Sequence, residues 1–153
     1  MIHILFVCHG NICRSPMAEY VMKHLVATLG IADQFEIASA ATSTEEIGNP
    51  IYPPARRELD LHGISCNGHC ARQMTPADYS HYDYIIAMDR YNLRNMQRFV
   101  GNDPDNKVSL LMDWTDTPHD VADPWYTDDF SITWKDIYEG CNAFLNQICL
   151  NTN

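Results

Sequence analysis

"ILFVCHGNICRSPMAEYVMKHL", residues 4–25, decides how the chain folds. Its apolar start belongs to "IHILFV" (2–7), which has the uniform hydrophobicity of a strand covered on both faces in a parallel sheet. Cys8 ends that run. Beyond Ser15 and Pro16, the apolar residues Met17, Val21, Leu25 and Leu29 recur at intervals of four. This spacing predicts an amphipathic helix from Ser15 to Leu29, with Gly30 as its stop. Ser15 is the expected N-cap and Pro16 suits the first helical position.

The rest of the chain repeats the alternation. "FEIASA" (35–40), "YDYIIAM" (82–88) and "KVSLLMDW" (107–114) read as three further strands. "PARRELDLHG" (54–63), "TPADYSHY" (75–82), "DRYNLRNMQRFVG" (89–101) and the stretch from Phe130 to Leu150 read as helices. Two polar loops, 41–54 and 115–129, interrupt them. The order predicts an α/β fold, one domain over residues 1–153, built on a parallel sheet. In such sheets ligands bind beyond the carboxyl ends of the strands. Cys8, the loop after Ser39, Asp89 and the loop after Asp113 all fall at that edge.

Composition removes several classes of function. A net charge of −10 argues against a nucleic-acid binder, which needs a basic face. No run of about 18 apolar residues suggests a membrane span. The N-terminus lacks the basic flank and long apolar stretch of a secretion signal. Cysteines 8, 13, 66, 70, 141 and 149 are therefore expected as reduced thiols in a cytoplasm rather than as a disulfide framework.

The turn from His9 to Arg14 has its own chemistry. A loop entering a helix exposes backbone N–H groups that lack intrahelical partners, and the helix dipole adds positive charge there. Gly10 and Asn11 are the residue types that adopt left-handed backbone angles most readily, which would curl the loop into an anion-binding nest. Arg14 adds a planar fork matched to two phosphate oxygens. Cys8 turns a phosphate site into a reactive one. The donors that would hold phosphate favour the thiolate, and Ser15 can donate one more hydrogen bond to sulfur. A thiolate beneath the phosphorus of a bound monoester is a nucleophile, with nest and guanidinium stabilising the transition state. No Lys-Ser/Thr follows a second glycine, so this is not a nucleotide-binding Walker loop. Cys8 and Cys13 lack a second Cys/His pair to complete a zinc tetrahedron, so no metal is expected there.

Covalent phosphoryl transfer also needs a proton for the leaving oxygen and later a base for water. Asp123 in "VADPWY" is the candidate, because Pro124 keeps it out of helical geometry. Trp125 and Tyr126 beside it can wall a slot for an aromatic leaving group. Asp113, Asp116, Asp120, Asp128 and Asp129 are the rivals.

"VCHGNICRSPMAE" (7–19) resembles the catalytic loop of the low-molecular-weight protein tyrosine phosphatases. "SAATST", "IGNP", "HGI", "ARQMTPAD", "DYIIAMD" and "DPWY" continue the resemblance in order across most of the chain. It implies a doubly wound sheet of four parallel strands with helices on both faces, and no metal or organic cofactor. It implies phosphotyrosine proteins or peptides as substrates and inorganic phosphate as product and inhibitor. Cys8 becomes the nucleophile, with Ser15 assisting it. The loop His9, Gly10, Asn11, Ile12, Cys13 and Arg14 binds phosphate, and Asp123 is acid and then base. Asn11, Ser39 and His69 support the loop. Cys13 matches the family's second loop cysteine, which forms a reversible disulfide with Cys8 under peroxide.

The chain departs from the family at three points. His9 stands where Leu or Thr is commoner. Glu45, followed by Glu46, replaces a frequent aromatic wall. Trp125 occupies a position usually held by Tyr. Two carboxylates at the entrance lead us to expect a preference for phosphotyrosine with basic neighbours. Three rival readings are an arsenate reductase, a protein arginine phosphatase and a phosphopeptide-binding module. The first needs resolving cysteines after the third strand, where "AMDRYNLRNMQRFVG" has none. The second favours Thr where Ile12 stands. The third is opposed by the presence of Cys8, Arg14 and Asp123 together. A monomer or weak dimer is expected, with Trp125 and Tyr126 as candidate contacts.

Overall fold

Four strands, β1 (Ile2–Cys8), β2 (Phe35–Ala41), β3 (Tyr84–Ala87) and β4 (Val108–Leu110), form one parallel sheet in the order β2-β1-β3-β4. The structure, a computed structural model, describes residues 1–151. Six α-helices accompany the strands: α1 (Arg14–Thr28), α2 (Pro53–Leu61), α3 (Pro76–His81), α4 (Arg90–Val100), α5 (Pro124–Thr127) and α6 (Phe130–Asn151).

β1 is the central strand, and Ile4, Leu5, Phe6 and Val7 have no exposed surface. Successive side chains point to opposite faces, so this one strand feeds two cores. Ile4 and Phe6 join Met17 and Val21 of α1 with Ile137 and Phe144 of α6. Leu5 and Val7 join Tyr82, just past α3, and Met96 and Val100 of α4. Helices therefore cover both faces, and the sheet is doubly wound as expected. β2 and β3 flank β1, so the winding reverses there. Cys8, the last residue of β1, stands at that switch point, where open α/β sheets take their ligands.

Local differences from the sequence reading have physical causes. The fourth strand ends at Leu110, and Leu111–Trp114 turn as a short 3-10 helix. Leu111 and Met112 remain buried, but against α6 rather than in the sheet, so their hydrophobicity serves a helix contact. α1 starts one residue early, at Arg14, with Cys13 as N-cap and no capping side chain. Ser15 is therefore not the cap, and Pro16 is the third helical residue rather than the first. Leu29 lies past the end of α1 and is 62% exposed. The helix ends before the fourth expected apolar position, and its buried face is wider than that one row, taking in Ala18, Met22 and Val26 as well. Gly30, at φ +73°, does close the helix: its N–H donates to Ala27 O (3.1 Å) and that of Ile31 to Val26 O (3.0 Å). Among the described residues, no helix is long and apolar enough to cross a membrane.

Candidate active site

The loop between β1 and α1 is shaped around Cys8 and braced through Asn11. Asn11 alone in this loop has a left-handed backbone, at φ +60°. The expectation for Gly10 is corrected, since its φ lies outside that region. Space there is tight: an added Cβ would meet Glu46 Cγ at 3.3 Å, so that side chain would have to give way. The turn at Asn11 brings its own N–H to 3.3 Å from Cys8 Sγ. Asn11 Nδ2 donates to Ser15 Oγ (2.8 Å) and to Ser39 Oγ (2.9 Å), and its Oδ1 accepts from the Arg72 N–H (3.2 Å). His69 Nε2 donates to the Asn11 carbonyl at 2.7 Å. Every polar atom of this buried side chain is satisfied, which fixes the loop by the same rule that makes an unsatisfied group costly.

Ser15 is turned inward by the early helix start. Its Oγ lies 3.0 Å from Cys8 Sγ and already accepts from Asn11, which frees its proton for the sulfur. Ser39 Oγ in turn donates to Glu19 Oε1 at 2.5 Å, and Glu19 pairs with Lys23 at 2.6 Å. The chain from Cys8 through Ser15, Asn11 and Ser39 to Glu19 thus ties the loop to β2 and α1. The segment carrying His69 and Arg72 is itself pinned to the end of β2, where Ala41 N donates to Arg72 O and Met74 N to Ala41 O, each at 2.8 Å.

Arg14 is buried and held from several sides. Asp89 Oδ2 lies 2.8 Å from Nη2, Asp123 Oδ2 lies 3.6 Å from the same nitrogen, and Nη1 donates to Val121 O at 3.1 Å. A guanidinium has five N–H donors, so others remain for an oxyanion. Burial alone would lower its proton affinity. Cys8, Asp89 and Asp123 more than reverse this and hold Arg14 above its ordinary value.

Asp123 has an extended backbone, as Pro124 requires, and its Oδ1 accepts from the Trp125 N–H at 3.0 Å to cap α5. The segment before it is anchored at every step. Val121 N donates to Met88 O (2.9 Å), Ala122 N to Asp136 Oδ2 (3.0 Å), and Thr133 Oγ1 to Ala122 O (2.8 Å). A carboxylate on a loop therefore acquires the precision of the sheet edge and of α6.

These groups open into one cleft of about 670 Å³. Cys8, Cys13 and Arg14 form part of its lining, and His9, Gly10 and Ile12 belong to it as well. Asn11, Ser15, Ser39 and His69 stand outside that lining, as its supports. Asp123, Trp125 and Tyr126 line the far side, and Trp125 also meets Tyr52 with ring centroids 5.6 Å apart. Asp120 is the one rival acid in the lining; Asp113, Asp116, Asp128 and Asp129 are not part of it. At the mouth, Glu45 Oε2 pairs with His9 Nε2 at 2.9 Å, and Glu46 accepts from Asn49 Nδ2 at 2.6 Å. Burial first, and the charge of Cys8 next, push the Cys13 thiol up to about 12 against the pull of Arg14. Cys13 keeps its proton throughout the neutral range.

Several contributors were not read from the sequence. The first is the role of Asp89: its place after the third apolar strand put it on the edge that carries Cys8, but its bond to Arg14 was not foreseen. Glu19 is the second, and a carboxylate one turn beyond Ser15 on the buried side of a helix was its signal. Arg72, Tyr52 and Val121 act from distant segments and left no mark near the loop.

Comparison with known proteins agrees with this arrangement. Residues 3–152 match the family model described as low molecular weight phosphotyrosine protein phosphatase. The chain is 38% identical over 150 residues to the low molecular weight protein-tyrosine-phosphatase YfkJ of Bacillus subtilis, covering 97% of this chain and 96% of that one. The YfkJ crystal structure superposes with a TM-score of 0.95 over 100% of this chain and 98% of that one. The low molecular weight phosphotyrosine protein phosphatase of Gallus gallus is 40% identical over 149 residues, or 94% of each chain. A Drosophila arginine phosphatase, DARP, is similar at 31% identity and a TM-score of 0.83, over 95% of this chain and 96% of that one. With its loop, its sheet order and these relatives in agreement, the chain belongs to the low molecular weight phosphotyrosine protein phosphatase family.

Proposed function

We propose that this protein hydrolyses phosphotyrosine and related aryl phosphate monoesters through a phosphocysteine intermediate, and that the whole of residues 1–153 serves as the phosphatase domain. The observation that carries this reading is the setting of Cys8. Its sulfur receives an N–H and faces a hydroxyl at the floor of a cleft that also holds a fixed guanidinium and an aspartate. Phosphate sits in the loop from His9 to Arg14. The Cys8 thiolate attacks phosphorus as the ester P–O bond breaks, and Asp123 gives its proton to the leaving oxygen. The resulting Asp123 carboxylate takes a proton from water, whose oxygen attacks the phosphocysteine and returns phosphate and the thiolate. Arg14 and the backbone N–H groups stabilise the equatorial oxygens in both steps. Ser15 supplies the hydrogen bond that helps sulfur leave. Trp125 and Tyr126 accept the aromatic ring, and inorganic phosphate inhibits as product.

Cys13, held protonated in part by the charge of Cys8, is not a nucleophile toward phosphorus in this scheme but the resolving thiol once oxidation has removed that charge. Peroxide oxidises Cys8 to a sulfenic acid, and Cys13 displaces water from it to form the disulfide. The cysteine usage of the sequence supports a cytoplasmic setting. Self-association through Trp125 and Tyr126 would be weak.

The decisive assay compares p-nitrophenyl phosphate, a phosphotyrosine peptide, phosphoarginine and arsenate. Turnover of the first two is expected, with Cys8→Ser abolishing it and Asp123→Ala lowering it by about 10²–10⁴, the usual contribution of a general acid. Undiminished turnover in Asp123→Ala would pass the role to Asp120. A higher kcat/KM on phosphoarginine would favour the second reading, an arginine phosphatase, for which the likeness to DARP is the supporting observation.

A further inference from the structure

A second cluster of ionisable side chains lies at the other end of the sheet. His3 near the start of β1, Glu36 near the start of β2 and His81 at the end of α3 each offer one ligand atom, all within 4.8 Å of one another. Glu36 Oε2 is the hub, 2.5 Å from His81 Nε2 and 3.7 Å from His3 Nε2. The two imidazoles meet edge to face with centroids 4.9 Å apart. Behind them, Asp83 Oδ2 accepts from His3 Nδ1 at 3.1 Å and from the His3 backbone N–H at 2.8 Å. A carboxylate can only accept, so the His3 proton sits on Nδ1 and the lone pair of the neutral ring lies on Nε2, toward Glu36.

The geometry points to a binding site for a zinc-class divalent ion, ligated by His3 Nε2, His81 Nε2 and a Glu36 oxygen, with Asp83 orienting His3 from behind. Two imidazoles and one carboxylate are a donor set for zinc or copper rather than for magnesium or calcium. A carboxylate on the remote nitrogen of a ligating histidine is the usual second support of such sites. Metal–ligand bonds of about 2.0–2.2 Å place tetrahedral ligand atoms about 3.3–3.5 Å apart. The 3.7 Å separation between His3 and Glu36 is close to that already. The His81 contact opens by about 1 Å as the ion takes the place of the proton it shares with Glu36. The His81 and Glu36 side chains are each about half exposed, so water can fill the fourth position. The ion would tie together three segments far apart in sequence. Five residue steps along β1 separate His3 from Cys8, a span of about 17 Å, so the site does not compete with phosphate.

The test is calorimetric titration of zinc chloride into the full-length Cys8→Ser protein, whose missing thiol cannot compete for the ion. One equivalent is expected to bind, with a rise in the thermal midpoint. His81→Asn and Glu36→Gln, both at exposed positions, should each weaken binding at least tenfold and remove most of that rise while leaving the metal-free circular dichroism spectrum unchanged. Asp83→Asn should weaken binding less. The assignment falls if zinc does not bind, if both exposed variants bind as the parent does, or if binding is lost on Cys70→Ser and kept in His81→Asn.

Discussion

Asn11 concentrates more structural consequence than any other side chain in the loop. It combines a left-handed backbone with bonds that reach Ser15, Ser39, Arg72 and His69. Asn11→Ala keeps the chain but leaves Ser15 and Ser39 short of a donor. Stability should fall by about 1–3 kcal/mol, the range for a buried polar group left unsatisfied, and kcat should fall with it. Chemical denaturation and steady-state kinetics on one preparation check both. Asp89 allows a finer separation, because one oxygen caps α4 through the Asn92 N–H (2.8 Å) and the other holds Arg14. Asn is as good an N-cap as Asp, so Asp89→Asn should keep α4 capped and lower the melting temperature only through the weakened hold on Arg14. Losing a charge-assisted bond worth about 1.5–3 kcal/mol should lower kcat/KM by about 10- to 100-fold. A large drop in melting temperature with normal kinetics would contradict that division. Between the two loop thiols, iodoacetamide at pH 7 should label Cys8 and spare Cys13, whose proton is held up to about 12, as peptide mass spectrometry can show.

At the scale of elements, the contact between α6 and the 3-10 turn after β4 leaves no room at Gly140. A Cβ on Gly140 would lie 2.6 Å from Leu111 Cγ, a branch atom of a fully buried side chain that has nowhere to retreat. Gly140→Ala gains about 1 kcal/mol of helix propensity, while overpacking costs about 1–3 kcal/mol. With a branch atom in the way, we expect a net loss of stability, visible as a lower denaturation midpoint. The same contact shows why the sequence misled about the fourth strand. "KVSLLMDW" is apolar throughout, and nothing local says whether Leu111 and Met112 face a sheet or a helix 30 residues away. Local signals elsewhere were enough. The Cys8-to-Arg14 spacing marked the turn between β1 and α1, Pro124 dictated the backbone of Asp123, and the buried run of β1 declared a central strand. Ser15 was misread as a cap because capping and thiol support favour the same residue type, whereas the cap position falls two residues earlier, at Cys13. Asp89, Arg72 and the His3–Glu36–His81 group are assembled only by tertiary folding, so no window of sequence contains them.

For the whole molecule, the charge ledger sets the pH range of stability. Burial pushes Cys13 from 9.0 and Tyr20 from 10.0 each up to about 12, and burial also raises Cys141. As pH climbs above 9 the unfolded chain loses these protons while the folded one retains them. The folded state then binds more protons, so stability falls with rising pH. On the acid side, Asp83 and Asp103 resist the burial that would raise them. Bonds from His3 hold the first below its ordinary value of 3.8, and bonds from Tyr79, Lys107 and Val108 hold the second there. Their contribution is present above that value and is lost as pH falls through their lowered range. Thermal melts from pH 3 to 11 should therefore trace a plateau that declines at both ends, and Cys13→Ser should soften the alkaline decline.

α1 begins without a capping side chain, at the one spot where an oxyanion is expected to dock. In the proposed reaction, the phosphate product would thus double as the stopper for an unfinished helix. Phosphate, or vanadate in its place, should raise the melting temperature as it slows catalysis. Resting protein in a phosphate-rich milieu would be the sturdier and more sluggish form, and each incoming ester would have to evict its own keystone.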